Sequence, residues 1–149
     1  MNLDRVLEAL RAACPSADLE VQRVPVDECF VTLPPTCFCD AVATLLELDV
    51  YHLSTITGQD LDGEIVLLYH FWEGSGLTLR TSVPRDEAHI ASVTGLIPGA
   101  SFYEREIAEM LHVTFDGHPD PRPLLLPDDW NGEAPLRQEF TPLEKGDDS

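Results

Sequence analysis

Apolar residues near the start of the chain recur at the intervals of three and four residues that are typical of an amphipathic helix. These residues are Leu3, Val6, Leu7 and Leu10. Because Pro15 interrupts the pattern, a first helix is predicted to end just before it. A second helix is predicted to begin near Pro34, since proline lacks only a donor that the first turn leaves unpaired, and to run to about Glu47. Between the helices, residues 20–26 and 29–33 alternate loosely and indicate two short strands or one bent strand.

The middle of the chain has the pattern of a strand meander with polar turns. Strands are predicted at residues 51–57, 64–72 and 77–83, and turns at residues 58–63 and 73–76. In the last strand apolar residues alternate with polar ones, as in a sheet with one face in water. Residues 65–68 are apolar on both faces, so their strand is predicted to be the central one.

Two helices are predicted after the meander. Residues 86–93 indicate a short helix around Ile90. Ser101 is followed three residues later by Glu104, which is the spacing of a capping box and predicts that a longer helix begins at Ser101.

Glu106 is placed near the apolar stripe of this longer helix. The stripe consists of Tyr103, Ile107, Met110 and Leu111. A carboxylate near the core is costly without a cation, so Glu106 is predicted to be ionised and held by an arginine. Arg122 and Arg137 are the candidates, because both lie in the segment that must turn back past this helix.

The last part of the chain is rich in proline and cannot form a long helix or a central strand. Its six prolines are Pro119, Pro121, Pro123, Pro127, Pro135 and Pro142. The predicted fold is therefore α+β, with a single mixed sheet of about four to five strands covered by helices and an extended Pro-rich C-terminal tail. Residues 1–112 are predicted to form the domain, and residues 113–149 an extended segment that binds a partner.

The charge of the chain restricts its partners. Among 149 residues, 9 are Lys or Arg and 27 are Asp or Glu, which gives a formal net charge of -18. This charge repels phosphate backbones and anionic lipid surfaces, so binding of nucleic acid is not expected. No apolar run approaches the length of a membrane span, and the first residues lack the pattern of a signal peptide. We expect a cytoplasmic chain whose link to a membrane runs through partners.

The residues that could carry chemistry form no complete site by their spacing. Glu109 and His112 lie on one helical face at the spacing used in di-iron bundles, and with His118 they define the alternative of a small metalloenzyme. The chain has no second Glu-x-x-His to complete such a site. No glycine-rich nucleotide-binding motif is present. Reduced thiols, in no zinc or iron–sulfur spacing, are expected at Cys14, Cys29, Cys37 and Cys39.

The residues from Glu104 onward follow the fixed spacings of a known signature. They are Glu104-Arg105-Glu106, Phe115, Gly117-His118-Pro119-Asp120, Arg122, Leu125, Pro127-Asp128, Trp130, Gly132, Pro135-Leu136-Arg137 and Glu139-Phe140. This run resembles the 30 kDa subunit of respiratory complex I (NADH:quinone oxidoreductase), a family that includes the homologous subunit of group 4 membrane-bound nickel-iron hydrogenases. Where members of the family often carry Gly, this chain has His112. The sequence Asp120-Pro121-Arg122-Pro123 also departs from the usual complex I pattern, which typically has a Leu and a second basic residue there, and favours a hydrogenase-like or divergent paralogue.

The resemblance implies a subunit that holds no cofactor itself and braces a 49 kDa-like, hydrogenase-large-like subunit at the inner face of the cell membrane. FMN, iron–sulfur clusters and quinone, or a nickel-iron site, are then expected in the large subunit and in neighbouring iron–sulfur subunits. Residues expected to bind the partner or to support this binding are Glu104, Arg105, Glu106, His118, Pro119, Asp120, Arg122, Pro127, Asp128, Trp130, Leu136 and Arg137.

Overall fold

The computed structural model describes residues 1–15, 17, 19–24, 28–120, 122 and 134–137. The helices in this part of the chain are α1 (Leu3–Ala13), α2 (Phe38–Glu47) and α3 (Ala100–Leu111). The strands are β1 (Glu20–Val24), β2 (Glu28–Thr32), β3 (Leu53–Leu61), β4 (Glu64–Trp72), β5 (Gly76–Pro84), β6 (His89–Ala91) and β7 (Thr114–Asp116). Short 3-10 helices at Pro35–Cys37 and Arg85–Glu87 precede α2 and β6. The first two predicted helices are thus confirmed.

The strands form a mixed five-stranded sheet and a small second sheet. In the larger sheet the order is β1-β2-β5-β4-β3, with β2 and β5 parallel and the other neighbours antiparallel. The smaller sheet is a parallel pair of β6 and β7. The predicted α+β fold with one mixed sheet of about four to five strands is confirmed. The central strand is β5 and not β4, because β2 pairs with the free side of β5 and moves the centre by one strand.

Strand β3 is longer than its predicted version. Residues 58–63, predicted as a turn, mostly continue the strand, and the hairpin is closed by Asp62 and Gly63, whose φ angles are 44° and 84°. Gly58 lies under α3, where a Cβ atom would be 2.5 Å from Leu111 Cδ1. This glycine therefore permits a close approach between helix and strand, and it does not mark a turn.

The buried core joins the three helices to one face of the five-stranded sheet. On β4 and β5 this face consists of alternate residues: Ile65, Leu67, Tyr69, Phe71, Leu77, Leu79 and Val83. Phe38 of α2 packs against Tyr69 with their ring centroids 4.3 Å apart. On the opposite face, Thr57, His70 and Thr78 form a row of side-chain hydrogen bonds across three strands, with both distances 3.0 Å.

The helix predicted at residues 86–93 is wrong. The segment forms a 3-10 turn followed by β6, and Ile90 lies opposite Phe115 of β7. The Ser92 amide donates to the Asp116 carbonyl at 2.8 Å, which extends the pairing beyond the strand. One apolar residue between polar neighbours fits a helix or a strand equally well, and here a distant segment supplies the strand partner.

The described part of residues 113–149 begins within the fold, because Phe115 of β7 belongs to the buried core. Pro127, Asp128 and Trp130, which are expected to contact a partner, lie outside the described residues. A separate segment that binds a partner therefore stays a prediction. Among the residues that the structure describes, no helix is long and apolar enough to cross a membrane.

Candidate functional site

Helix α3 positions most of the predicted site residues. It begins at Ala100, and its N-terminal cap residue, Gly99, makes no side-chain capping bond. The predicted capping box is wrong, because the side chain of Glu104 turns inward and accepts from another segment instead of from Ser101. The buried residues of the helix share one face and are Ala100, Glu104, Ile107 and Leu111.

Glu104 is completely buried, and its carboxylate accepts from three donors of the segment after β6. Ser92 Oγ donates to Oε2 at 2.6 Å, and the Val93 amide donates to Oε1 at 2.7 Å. Thr94 Oγ1 donates to Oε2 at 3.0 Å. Hydrogen bonds to an ionised acceptor are stronger than neutral ones and offset part of the cost of burying it. Glu104 therefore fastens α3 to the loop that precedes it.

His118 connects the residues after β7 to the same carboxylate. Its side chain is 3% exposed, and Nε2 lies 3.7 Å from Glu104 Oε2 and 3.4 Å from the Ser101 carbonyl oxygen. The Asp120 amide donates to Nδ1 at 2.9 Å. Since Nδ1 accepts, the proton of the neutral ring is assigned to Nε2, which faces Ser101 and Glu104. We call Ser92, Val93, Thr94, Glu104 and His118 the Glu104 cluster.

Two further buried groups lie within the electrostatic reach of Glu104. The Tyr69 hydroxyl is buried without a hydrogen-bond partner among the described residues, and burial followed by the charge of Glu104 raises its pKa well above the ordinary value. Burial, followed by the charges of Asp40 and Glu104, also raises the pKa of the Cys39 thiol, which donates to the Ser92 carbonyl at 3.7 Å. Both groups are therefore neutral near pH 7.

Glu106 does not lie where it was predicted. It is exposed, because the buried face of α3 is centred on Glu104 and Ile107. The proposed arginine partners bind other groups: Arg122 pairs with Asp120, and Arg137 donates to backbone carbonyls. The prediction that Glu106 lies near the core is therefore wrong. The acid of this helix that lies in the core is Glu104.

The segment after His118 is attached to the outer side of α3. Arg105 Nε donates to the Arg122 carbonyl at 2.9 Å. Arg122 makes a two-pronged ion pair with Asp120, with Nε to Oδ1 at 2.7 Å and Nη2 to Oδ2 at 2.8 Å, and Pro119 beside it is exposed. This guanidinium lowers the pKa of Asp120 well below its usual range. Because the pair is in water, it orders the segment more than it stabilises the fold.

Residues 134–137 return to the C-terminal end of the same helix. The Leu136 amide donates to the Met110 carbonyl at 2.7 Å, and Arg137 donates from Nε to the Leu111 carbonyl at 2.6 Å and from Nη2 to the His112 carbonyl at 3.2 Å. An arginine at this end satisfies terminal carbonyls and complements the helix dipole. The Leu136 side chain is 56% exposed. The helix end is therefore closed, while an apolar side chain is left on the surface beside it.

His112 ends α3 in a left-handed conformation, with φ 53° and ψ 45°. This conformation is strained for a residue with a Cβ atom and is the one that glycine adopts most readily at a helix end. His112, at a position where members of the family often carry Gly, therefore adds backbone strain at the end of α3.

A cavity of about 210 Å³ lies between α3, β7 and His118. Ala108, Val113 and Phe115 supply apolar walls, and Glu104 reaches the cavity from the cluster. The volume has room for several water molecules or one large side chain.

The residues of the metalloenzyme alternative are not brought together. His118 faces the N-terminal half of α3, Glu109 lies near the other end, and His112 is exposed at the cap. In the part of the chain that the structure describes, no group of three or more His, Cys, Asp or Glu side chains could hold a metal ion.

The hydrogen-bond partners of Glu104 could not be predicted from the sequence. Ser92 and Thr94 lie in the loop between β6 and α3, and they belong to no recognisable sequence motif. The position of Glu104 itself has a signal, because it shares the spacing of Ala100, Ile107 and Leu111 and thus belongs to the apolar face.

Comparison with known proteins gives a consistent family. The pattern of the family described as "Respiratory-chain NADH dehydrogenase, 30 Kd subunit" matches residues 31–146. A subunit of the NADH-quinone oxidoreductase of Salinispora arenicola is 32% identical over 149 residues, which cover 92% of this chain and 60% of the relative. A subunit of the F(420)H(2) dehydrogenase of Methanosarcina mazei is 36% identical over 107 residues, covering 68% of this chain and 66% of the relative. The chain therefore spans about two thirds or less of these two relatives.

A solved structure agrees with the fold. A chain of an archaeal respiratory membrane complex, the membrane-bound sulfane sulfur reductase, superposes with a TM-score of 0.80 at 25% sequence identity. The match covers 96% of this chain and 88% of the other.

Proposed function

This chain belongs to the family of the respiratory-chain NADH dehydrogenase 30 kDa subunit, and from this premise we propose that it braces the 49 kDa-like large subunit of a membrane-associated electron-transfer complex. The chain holds no cofactor in this proposal. FMN, iron–sulfur clusters and quinone belong to the large subunit and to neighbouring iron–sulfur subunits. The chain is cytoplasmic and is held at the inner face of the cell membrane through the complex.

The attachment of the C-terminal segment at two places on α3 carries the proposal. His118 and Arg122 bind one half of the helix, and Leu136 and Arg137 bind its C-terminal end. The two attachments fix the positions of the described residues on either side of residues 123–133. A segment held at both ends loses less conformational entropy when it docks than a free tail does.

The exposed apolar side chains on this side supply a contact surface. Leu136 is 56% exposed at one end of α3, and Phe102 is 61% exposed near the other. In this proposal the two side chains supply apolar contacts to the partner. The formal net charge of -18 favours a partner surface that carries Lys and Arg.

Co-purification with the large subunit tests the proposal. The tagged chain is expressed together with the large subunit encoded beside it, and the recovered large subunit is quantified. Leu136→Asp should lower recovery roughly tenfold, because it places a charge in the apolar contact. Leu96→Asp is the matched control, since Leu96 is also exposed, at 39%, but belongs to the loop between β6 and α3 and not to the C-terminal segment.

The melting temperature of each isolated variant shows whether its domain is folded. Equal recovery of the large subunit with wild type and Leu136→Asp, both folded, would contradict docking at this end of α3. Failure of the wild-type chain to retain any large subunit would contradict the bracing role itself.

A second candidate is the equivalent subunit of a group 4 membrane-bound nickel-iron hydrogenase. The sequence Asp120-Pro121-Arg122-Pro123 favours it, because Pro121 and Pro123 stand where complex I chains typically have a Leu and a second basic residue. The sequence of the co-purified large subunit decides between the two. Paired cysteines that ligate nickel identify a hydrogenase, and their absence identifies a quinone reductase.

A further inference from the structure

Two of the four cysteines lie against each other where α1 ends and α2 begins. Cys14 is the C-terminal cap of α1, and Cys37 is the N-terminal cap of α2. The Cys14 thiol donates to the Cys37 carbonyl oxygen at 3.8 Å, and the Cys37 side chain is among the groups that raise the pKa of Cys14. Both thiols are free. The two helix ends thus place the Cys14 thiol against Cys37, which is 23 residues away in the sequence.

The two thiols differ in accessibility. Cys14 is 2% exposed, whereas Cys37 is half-buried and its thiol contacts the Pro34 carbonyl at 3.5 Å. The other two cysteines have different surroundings, because Cys29 is completely buried in β2 and the Cys39 thiol contacts the Ser92 carbonyl. A reagent from solution therefore reaches Cys37 before Cys14.

We propose that Cys14 and Cys37 are a reactive thiol pair that low-molecular-weight disulfides such as oxidised glutathione convert into a Cys14–Cys37 disulfide. In the first step the Cys37 thiolate attacks the small disulfide, a mixed disulfide forms on Cys37, and one small thiolate leaves. In the second step the Cys14 thiolate attacks the Cys37 sulfur and releases the second small thiolate. The two protein thiols lose two electrons and two protons, and the small disulfide is reduced to two thiols.

The environment of Cys14 makes the second step slow near neutral pH. Burial, the Cys37 side chain and the Asp40 carboxylate raise the pKa of Cys14 to about 12. Conversion of Cys37 into a mixed disulfide removes its thiol, so part of this increase is lost when the first step has occurred. Closure should nevertheless accelerate about tenfold per pH unit between pH 7 and pH 8, because the thiolate fraction rises tenfold.

The closed disulfide would tie α1 to the start of α2 across the hairpin of β1 and β2. A cross-link across a loop of this length restricts the unfolded chain and is expected to raise the melting temperature by roughly 5–10 °C. Attachment of the edge hairpin to the domain would then depend on the redox state of the surroundings.

Incubation of the full chain with oxidised glutathione, followed by mass spectrometry without reduction, tests the proposal. The expected product has lost two hydrogen atoms and yields a cross-linked peptide that contains Cys14 and Cys37. Cys14→Ser should instead retain one glutathione on Cys37, because the resolving thiol is absent. Cys39→Ser is the control and should close the disulfide at the wild-type rate.

Three outcomes would overturn the proposal: a Cys37–Cys39 cross-link, a wild-type chain that keeps glutathione on Cys37 without closing, or no reaction at Cys37. If Cys14→Ser does not fold, Cys37→Ser serves in its place, since Cys37 is only half-buried. This variant should show neither the cross-link nor the increase in melting temperature.

Discussion

Two glutamates on α3 lie in opposite surroundings, one on the inner side of the helix and one on the outer side. Glu104 is completely buried and accepts from a serine, a threonine and a backbone amide, whereas Glu106, half a helical turn away, is exposed. The inner carboxylate holds α3 to the loop before it through neutral donors. The outer side instead holds the C-terminal segment through arginines. The inner side of α3 therefore supports the fold, and the outer side carries the C-terminal segment.

The difference also shows how a buried acid is tolerated when the described residues place no arginine beside its carboxylate. The donors that bind Glu104 are neutral, and the nearest imidazole nitrogen, of His118, is 3.7 Å away. A buried carboxylate with several well-aligned donors is less costly than an unpaired one, but removing it leaves every donor unsatisfied. Replacement of Glu104 should thus cost more than replacement of any outer acid.

The largest expected effect on stability comes from replacing the buried Glu104. Glu104→Ala removes the acceptor of Ser92, Val93 and Thr94 and leaves a cavity, so we expect the free energy of unfolding to fall by about 3–5 kcal/mol. Glu106→Ala, the matched control on the outer side, should change it by less than about 0.5 kcal/mol. Urea unfolding of both variants measures the difference. Equal losses would show that the donors of the inner carboxylate contribute little.

A smaller effect is expected at the C-terminal end of α3. His112→Gly should raise the free energy of unfolding by about 0.5–1 kcal/mol, because glycine adopts the left-handed conformation without strain. His112→Ala keeps the Cβ atom and should bring no gain. Thermal unfolding separates the two variants, and an equal response of both would show that strain at this position is not the cause.

The smallest expected effect is a change in stability with pH, which differs between an exposed and a half-buried histidine. Asp116 raises the pKa of the exposed His89 above 6.5, whereas burial lowers the pKa of His70 below it. His89 therefore contributes most below pH 6.5 and loses its contribution as the pH rises through its raised pKa. His70 contributes most above pH 6.5 and loses its contribution as the pH falls through its lowered pKa.

Melting temperatures measured at about pH 5 and about pH 8 compare the two histidines. As the pH falls from about 8 to about 5, the melting temperature of His89→Asn should drop further below that of wild type. Over the same change in pH, the melting temperature of His70→Asn should come closer to that of wild type. Deficits that move in the same direction would mean that one of the two shifts has the opposite sign.

Local patterns predicted the elements whose partners are close in the sequence. The first helix follows from regular apolar spacing, and the hairpin of β4 and β5 follows from two strand patterns on either side of a short polar loop. Elements with distant partners were predicted less well. Residues 89–91 pair with β7, and Gly58, predicted to lie in a turn, continues β3 under α3. A local pattern carries no information about a partner that only the folded chain provides.

The sequence by itself determined the family, the mixed α+β composition and the concentration of signature residues on α3 and after it. Only the tertiary structure decided which acid of Glu104-Arg105-Glu106 is buried, that Arg137 closes the helix end, and that Cys14 meets Cys37. The physical reason is that apolar spacing defines a helical face only to within about one residue, or roughly 100° of rotation. The rotation of α3 is set by packing and by donors from other segments, and those positions exist only after the chain has folded.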